Sequence, residues 1–253
     1  MMKQFDSIIP KQRKLLHGAD YNPEQWRTTP EIWKEDMRLL KLSGLNCVSL
    51  GIFSWSDLEP EEGRFDFSWM DAAMDNLASI GAIAVLATPS GARPPWLAQK
   101  YPEVMFTDST GKRHHYGKRH KHCCSSPVYR EKTAIINSEL AKRYKDHPAL
   151  GLWHISNEYC GHCHCELCTE GFRKWLKVKY NNDLDKLNFE WWGGFWSHRY
   201  NDWSQIESPL GIGEPIVHGQ NLDWRRFITH LTTDFMNHEI AAVKKYTPDI
   251  PVT

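Results

Sequence analysis

The chain has 253 residues, enough for one large domain with a substantial core, and its 31 Lys and Arg residues balance its 31 Asp and Glu residues. The formal net charge of zero gives no reason to expect a nucleic-acid or membrane-surface partner. No apolar run approaches the roughly 18 residues that a membrane span needs, and the first residues show no signal-peptide pattern.

Short apolar segments predict buried strands at residues 15–20, 46–53, 82–88 and 150–155, and a fifth strand is predicted to begin at 249–252. The segments between them predict helices. One helix is predicted to begin at Ser68, where Asp71 three residues later completes a capping-box pattern. Alternation of strands and helices is typical of a parallel sheet with crossover helices, although the length also permits two smaller domains.

The carboxyl ends of parallel strands meet at one edge of a sheet, and the active loops cluster there. Glu158 follows the fourth predicted strand directly and is a candidate general acid/base, with a pKa that we expect partial burial to raise. The alternative is a solvated loop glutamate. Asn157 favours the catalytic interpretation, because its amide can hold a substrate hydroxyl while the acid works.

A long loop over residues 89–124 follows the third predicted strand, and a loop of this length is usually functional or mobile. Arg119 lies in its basic, histidine-rich part. Its guanidinium could bind vicinal hydroxyls of a sugar, but a solvated basic turn is the plainer interpretation. The 12 tryptophans could likewise stack on sugar rings or simply fill the core.

Six of the seven cysteines lie in two short clusters, and the seventh is Cys47. An odd number arranged in this way argues against a disulfide framework and for reduced thiols in the cytoplasm that serve as ligands. The later cluster, Cys160, Cys163, Cys165 and Cys168, has a spacing that lets several sulfurs meet one tetrahedral zinc. Three thiolates from this loop would need a fourth ligand from elsewhere. Cys123 or Cys124 is the candidate for a ligand from the earlier cluster. Nearby histidines are possible substitutes, and free buried thiols or a redox pair are the alternative.

Six segments together resemble glycoside hydrolase family 42, the cytosolic bacterial β-galactosidases. They are GADYNPEQW at 18–26, GIFSWSDLEPEEGRFDFSWMD at 51–71, ATPSGARPPWL at 87–97, the stretch 119–127, HISNEYC at 154–160 and WWGGFWSHRYNDW at 191–203. The resemblance implies a (β/α)8 barrel, a retaining mechanism and a homotrimer.

The resemblance also implies roles for individual residues. Glu158 falls on the family's acid/base, Asn157 and Arg119 fall on residues that contact the galactose, and Trp196 matches a tryptophan near the sugar subsite. The family's structural zinc ligands fall on Cys123, Cys163, Cys165 and Cys168. This match favours a sugar-binding role for Arg119 over a solvated turn.

The chain is expected to supply only about the first half of the barrel, four to five strand–helix units, so that residues 1–253 form the N-terminal portion of the catalytic domain. The family's nucleophile lies near the end of the seventh strand, beyond this chain. Glu24 and Glu59 lie at the correct end of the sheet, but nothing except position supports them as replacements. We therefore expect these residues alone to be inactive. The alternatives are a barrel glycosidase for another sugar and a non-catalytic, zinc-stabilised sugar-binding module.

Overall fold

The computed structural model describes residues 7–9, 12, 14–117, 119–159, 161–211 and 217–253. Its central element is a four-stranded sheet in which every neighbouring pair is parallel. The strands are β1 (Gly18–Tyr21), β2 (Cys47–Leu50), β3 (Ile83–Ala87) and β4 (Leu150–His154). All four predicted strands are therefore confirmed, each shorter than its apolar segment.

The strands lie in the sheet in the order in which they follow one another along the chain. Val252 then pairs in parallel with Trp153, and this bridge confirms the predicted start of a fifth strand beside β4. A doubly wound sheet would reverse its strand order at a switch point. Sequential order with parallel neighbours is the arrangement found in a (β/α)8 barrel.

Eight α-helices occur in the described part of the chain. They are α1 (Ile32–Leu42), α2 (Trp55–Leu58), α3 (Ser68–Ser79), α4 (Pro95–Lys100), α5 (Pro127–Tyr144), α6 (Glu166–Lys179), α7 (Leu184–Glu190) and α8 (His218–Lys244). The short α2 and α4 lie in stretches that were predicted to be loops. No helix among the described residues is long and apolar enough to cross a membrane.

The predicted capping box at the start of α3 is wrong. Asp66, two residues upstream, accepts hydrogen bonds from the Ser68 backbone N–H at 3.0 Å and from the Ser68 hydroxyl at 2.6 Å. Asp71 instead accepts hydrogen bonds from Arg143 and Tyr144 of α5. An Asx-type turn by Asp66 satisfies the helix start, because a side chain this short bonds most easily to its own neighbouring backbone.

One glycine allows β3 and β4 to lie close together. The register between these strands shifts after Ala84, so that Gly151 is an extra residue in β4. A Cβ atom at Gly151 would lie 2.7 Å from the Cδ1 atom of Ile83. The strand pairing therefore favours a residue without a side chain at this irregularity.

The chain divides into two compact units. The sheet unit comprises residues 1–97, 132–159 and 236–253, and the cysteine unit comprises residues 98–131 and 160–235. The core of the sheet unit includes the buried faces of the strands and of α3, with Leu50, Leu77 and Leu86 fully buried. The core of the cysteine unit is mostly aromatic and includes Phe172 and Trp224.

Candidate active site and cysteine cluster

The end of β4 turns sharply and carries both predicted catalytic-site residues of the sheet unit. Ser156 and Glu158 have positive φ angles of 56° and 45°. Such left-handed conformations in residues with a side chain cost roughly 1–3 kcal/mol each and persist only where the surroundings hold them. The turn at residues 156–159 therefore has the backbone geometry often found at functional sites.

Asn157 is half-buried, and the loop after β3 fits closely against it. A Cβ atom on Gly91 would lie 3.2 Å from the Asn157 Cβ atom, so a side chain at residue 91 would require Asn157 to shift. The Asn157 side chain is hydrogen-bonded to His154, an imidazole whose pKa is lowered by burial. Asn157 is thus positioned by contacts on two sides.

Glu158 is exposed in this chain. The expected partial burial is therefore wrong for these residues taken alone, while the predicted position at the carboxyl end of a parallel strand is correct. A residue at the mouth of a sheet obtains its burial from the loops and strands that surround the mouth, and the described residues form four strands and the first residues of a fifth.

A buried carboxylate from α8 lies behind the turn. Glu239 has no exposed surface, and burial raises its pKa while hydrogen bonds from Ser90, Tyr159, Asn137 and Thr88 act in the opposite direction. Glu239 was not among the residues predicted from the sequence. It lies four residues after Phe235 and four before Val243, both fully buried, so a glutamate on the apolar stripe of a helix was the available signal.

Glu59 and Glu24, the two other carboxylates at this end of the sheet, are buried and half-buried and make local contacts. Glu59 is buried and accepts hydrogen bonds from the Trp55 indole N–H and from the Gly63 backbone N–H, both at 2.8 Å. These bonds close the turn after α2. Glu24 is half-buried, and burial raises its pKa. Neither residue gains a catalytic partner among these contacts.

The cysteine unit contains a four-sulfur cluster. The Sγ atoms of Cys123, Cys163, Cys165 and Cys168 all lie within 4.8 Å of one another, and all four residues are buried. Cys123 Sγ lies 3.5 Å from the Sγ atoms of Cys165 and Cys168. The cluster selects Cys123 rather than Cys124 as the residue from the earlier part of the chain. Cys160, the other alternative, lies outside the described residues.

The donor set and its spacing fit a tetrahedral metal ion. Four thiolates at about 2.3 Å from one zinc would have their sulfurs about 3.8 Å apart, close to the observed separations. The backbone N–H of Thr107 donates to Cys163 Sγ at 3.4 Å, as expected around a thiolate ligand. Hydrogen bonds from Cys123 lower the pKa of Cys163 and of Cys165, while hydrogen bonds to Cys163 and Cys165 raise the pKa of Cys123, and the pKa of Cys168 is raised as well. A four-thiolate set leaves no open coordination position, which makes such a site structural.

The other two predicted sugar contacts, Arg119 and Trp196, lie in the cysteine unit. Arg119 is exposed, and its Nη1 atom lies 3.2 Å from Nε2 of His120. Trp196 is 58% exposed, has a positive φ angle of 54°, and stacks on Phe195 with a centroid distance of 5.2 Å. An exposed, oriented indole is suited to stacking on a ligand. That both residues meet the same sugar as Glu158 stays a prediction.

Proteins of known activity share most of this sequence. A model of glycoside hydrolase family 42, described as beta-galactosidase, matches residues 20–253. Beta-galactosidase Pbg of Clostridium perfringens is 57% identical over 252 residues, which are 100% of this chain and 37% of that protein. Beta-galactosidase GanA of Bacillus subtilis is 57% identical over 239 residues, 94% of this chain and 36% of that protein.

Solved structures agree with the sequence relatives. A beta-galactosidase from Rahnella sp. R3 superposes with a TM-score of 0.97 at 52% identity, covering 99% of this chain and 37% of that chain. Gan42B, a GH42 beta-galactosidase, superposes with a TM-score of 0.92 at 57% identity, covering 94% of this chain and 35% of that chain.

The parallel sheet and its helices are the N-terminal half of a glycosidase (β/α)8 barrel. The chain belongs to glycoside hydrolase family 42. It spans about 37% of the length of curated relatives such as Pbg.

Proposed function

We propose that this chain supplies the acid/base part of the active site of a retaining β-galactosidase. The observation that carries the proposal is the Asn157–Glu158 pair, which follows β4 at the carboxyl end of the sheet in a chain of family 42. The relatives Pbg and GanA bear the name beta-galactosidase. The substrate would be a terminal, non-reducing β-D-galactose residue.

In this mechanism Glu158 acts twice. Its protonated carboxyl donates to the glycosidic oxygen while a second carboxylate attacks the anomeric carbon, and it then takes a proton from the water that releases galactose. Retaining enzymes hold the two carboxyl groups about 5–5.5 Å apart. We assign the nucleophile to a glutamate beyond Thr253, because the sheet supplies the N-terminal half of a (β/α)8 barrel and the family's nucleophile is expected near the end of the seventh strand.

Three residues would hold the galactose. Asn157 is positioned by His154 and by the close approach of Gly91. Its side-chain amide would donate a hydrogen bond to a hydroxyl next to the anomeric carbon. Arg119 would bind further hydroxyls with its guanidinium, and Trp196 would stack its exposed indole on the sugar face. An aromatic ring can stack on the face of a sugar ring, and a planar guanidinium can hydrogen-bond to its hydroxyls.

The cysteine cluster would hold one structural zinc through Cys123, Cys163, Cys165 and Cys168. Such an ion supplies no chemistry to the hydrolysis, since all of its positions are taken by thiolates. It would join the residues that follow β3 to those that follow β4. Reduced thiols fit a cytoplasmic protein, and we propose a homotrimer for the full-length enzyme on the resemblance to the family.

The protein encoded by the complete reading frame tests this function with a panel of nitrophenyl galactoside, arabinoside, fucoside and xyloside. We expect preference for the β-galactoside and loss of its turnover in Glu158→Gln. Residues 1–253 expressed alone should show no turnover. Preference for another sugar would contradict the substrate, and galactoside turnover by residues 1–253 that is lost in Glu158→Gln would contradict the assignment of the nucleophile.

A further inference from the structure

The buried Glu239 carboxylate is directly bonded to the C-terminal end of the turn that carries Glu158. The Tyr159 hydroxyl donates to its Oε2 atom, and the Asn137 side-chain amide donates to its Oε1 atom at 3.1 Å. Glu239 itself has no exposed surface. Water therefore does not compete for these bonds, and the position of Tyr159 is tied to that of α8.

The same carboxylate reaches the start of the turn through one hydroxyl. The Ser156 backbone N–H donates to Thr88 Oγ1 at 2.6 Å, and the Thr88 hydroxyl is hydrogen-bonded to Glu239. The turn over residues 156–159 is thus connected at both ends to one side chain. Asn157 and Glu158 lie between these two connections.

These connections account for the persistence of the unusual backbone of the turn. Ser156 and Glu158 both have left-handed φ angles, which residues with side chains adopt only where their surroundings impose them. The hydrogen bond from the Ser156 N–H to Thr88 and the one from the Tyr159 hydroxyl to Glu239 hold the two ends of the turn, Ser156 and Tyr159, between which Asn157 and Glu158 lie. Glu158 is exposed, so the backbone direction at this turn is one determinant of where its carboxyl points.

We propose that Glu239 is a positioning residue for the acid/base: through Tyr159 and Thr88 it holds the turn 156–159 so that the Glu158 carboxyl points at the glycosidic oxygen. This inference rests on the proposed function of Glu158. Glu239 contacts neither substrate nor reacting atoms and acts only through the turn. Small errors in the direction of a proton donor weaken proton transfer strongly.

The test uses the dependence of the rate on the leaving group. A phenolate leaves poorly without a proton, whereas a dinitrophenolate leaves without help, so only the first reaction needs a well-aimed acid. The parameter is kcat/KM for phenyl β-galactoside and for 2,4-dinitrophenyl β-galactoside, which reports the first chemical step. The enzyme is the protein encoded by the complete reading frame, and the variants are Glu239→Gln and Tyr159→Phe.

We expect each variant to raise the ratio of dinitrophenyl to phenyl kcat/KM by about tenfold over the wild type. A misdirected acid slows the reaction of the phenyl substrate, which needs the proton, and leaves the dinitrophenyl substrate little affected. An unchanged ratio in Glu239→Gln overturns the proposal. Should that variant not fold, Tyr159→Phe removes a single donor and decides in the same way.

Two further variants distinguish a misdirected acid from a general loss of stability. Asp71→Asn breaks a different carboxylate contact in the sheet unit, the one to Arg143 and Tyr144. It should lower Tm and leave the ratio unchanged, as any purely structural defect would. Glu158→Gln should raise the ratio further than Glu239→Gln does. If Glu158→Gln leaves it unchanged, the proposed function fails, whatever the Glu239 variant does.

Discussion

The sheet unit and the cysteine unit are stabilised by different kinds of interaction. The sheet unit has four parallel strands, and its core combines aliphatic side chains such as Leu50 and Leu86 with single buried rings such as Trp153. Among its described residues, the cysteine unit has isolated bridges such as Met105 with His122 instead of strands. Its core is built from rings, with Phe172 packed against Trp224 and Phe227, and from four sulfurs.

This difference indicates which unit depends on a bound ion. Backbone ladders and aliphatic burial act over many residues, so the sheet unit can lose one contact at a moderate cost. The cysteine unit consists of helices joined by long irregular segments, and four thiols gathered without a cation would repel as they ionise. We therefore expect metal removal to affect the two units unequally.

The largest effect should come from removing one ligand. Cys165→Ala should abolish stoichiometric zinc binding and the ordering of the cysteine unit, since structural zinc can contribute about 10–16 kcal/mol to the folding of small domains. Hydrogen exchange should increase in residues 98–131 and 161–211 far more than in β2 and β3. Metal analysis and peptide-level exchange on the same sample provide the measurement.

Cys124→Ala is the matched control, because Cys124 lies next to Cys123 but outside the four-sulfur cluster. It should keep the full metal content. If Cys165→Ala increased hydrogen exchange equally in both units, or kept its full zinc content, the proposed dependence of the cysteine unit on a bound ion would be contradicted.

A buried charge network should give the next largest effect. Asp223 is almost fully buried and accepts hydrogen bonds from Lys179, Tyr180 and the Trp191 indole. Asp223→Asn removes the buried charge that pairs with Lys179 and Arg226, and breaking such a pair costs about 3 kcal/mol. Urea unfolding monitored by tryptophan fluorescence should show this loss, whereas Glu139→Gln on the surface of α5 should change little.

The same network predicts a pH dependence. Burial alone would raise the pKa of Asp223, but bonds from Lys179, Tyr180, Trp191 and Arg226 outweigh it and hold the pKa below its ordinary 3.8. A depressed folded-state pKa gives stability that is present above the unfolded value and lost as the pH falls through the folded value. The stability gap between wild type and Asp223→Asn should therefore narrow below about pH 4. A gap that is constant from pH 7 to pH 3 would contradict the network.

The smallest effect concerns the sheet unit. Gly151→Ala places a Cβ atom 2.7 Å from Ile83 Cδ1, and overpacking against the movable end of a side chain costs about 1 kcal/mol. Ile83→Val removes that Cδ1 atom and should recover part of the loss. A double-mutant cycle on Tm measures the coupling, and a coupling of zero would show that the strands are not fixed at this point.

Much of the sheet unit follows from the sequence because its signals are local. Apolar runs such as 82–88 are typical of strands covered on both faces, and the order of strands and helices then restricts the topology. The cysteine cluster was predictable for a similar reason, since Cys163, Cys165 and Cys168 are too close in sequence to avoid one another. The choice of Cys123 over Cys124 needed the structure.

The remaining features depend on contacts that sequence spacing does not encode. Asp66 and Asp71 could both accept a hydrogen bond at the start of α3, and sequence spacing does not say which carboxylate lies nearer to the Ser68 N–H. In the structure it is Asp66. Glu239 contacts Asn137 from 102 residues away, so no local pattern connects them. The exposure of Glu158 depends on elements that surround the mouth of the barrel.

The role of Glu158 can be tested by the product formed when its carboxyl is removed. In Glu158→Ala of the complete protein, azide can enter the vacated space and attack the galactosyl–enzyme from the face that water normally uses. We expect azide to restore turnover of dinitrophenyl β-galactoside and to yield β-galactosyl azide, identified by NMR. Formation of α-galactosyl azide would make Glu158 the nucleophile, and an unimpaired Glu158→Ala enzyme would exclude it from the chemistry; either result would contradict this account.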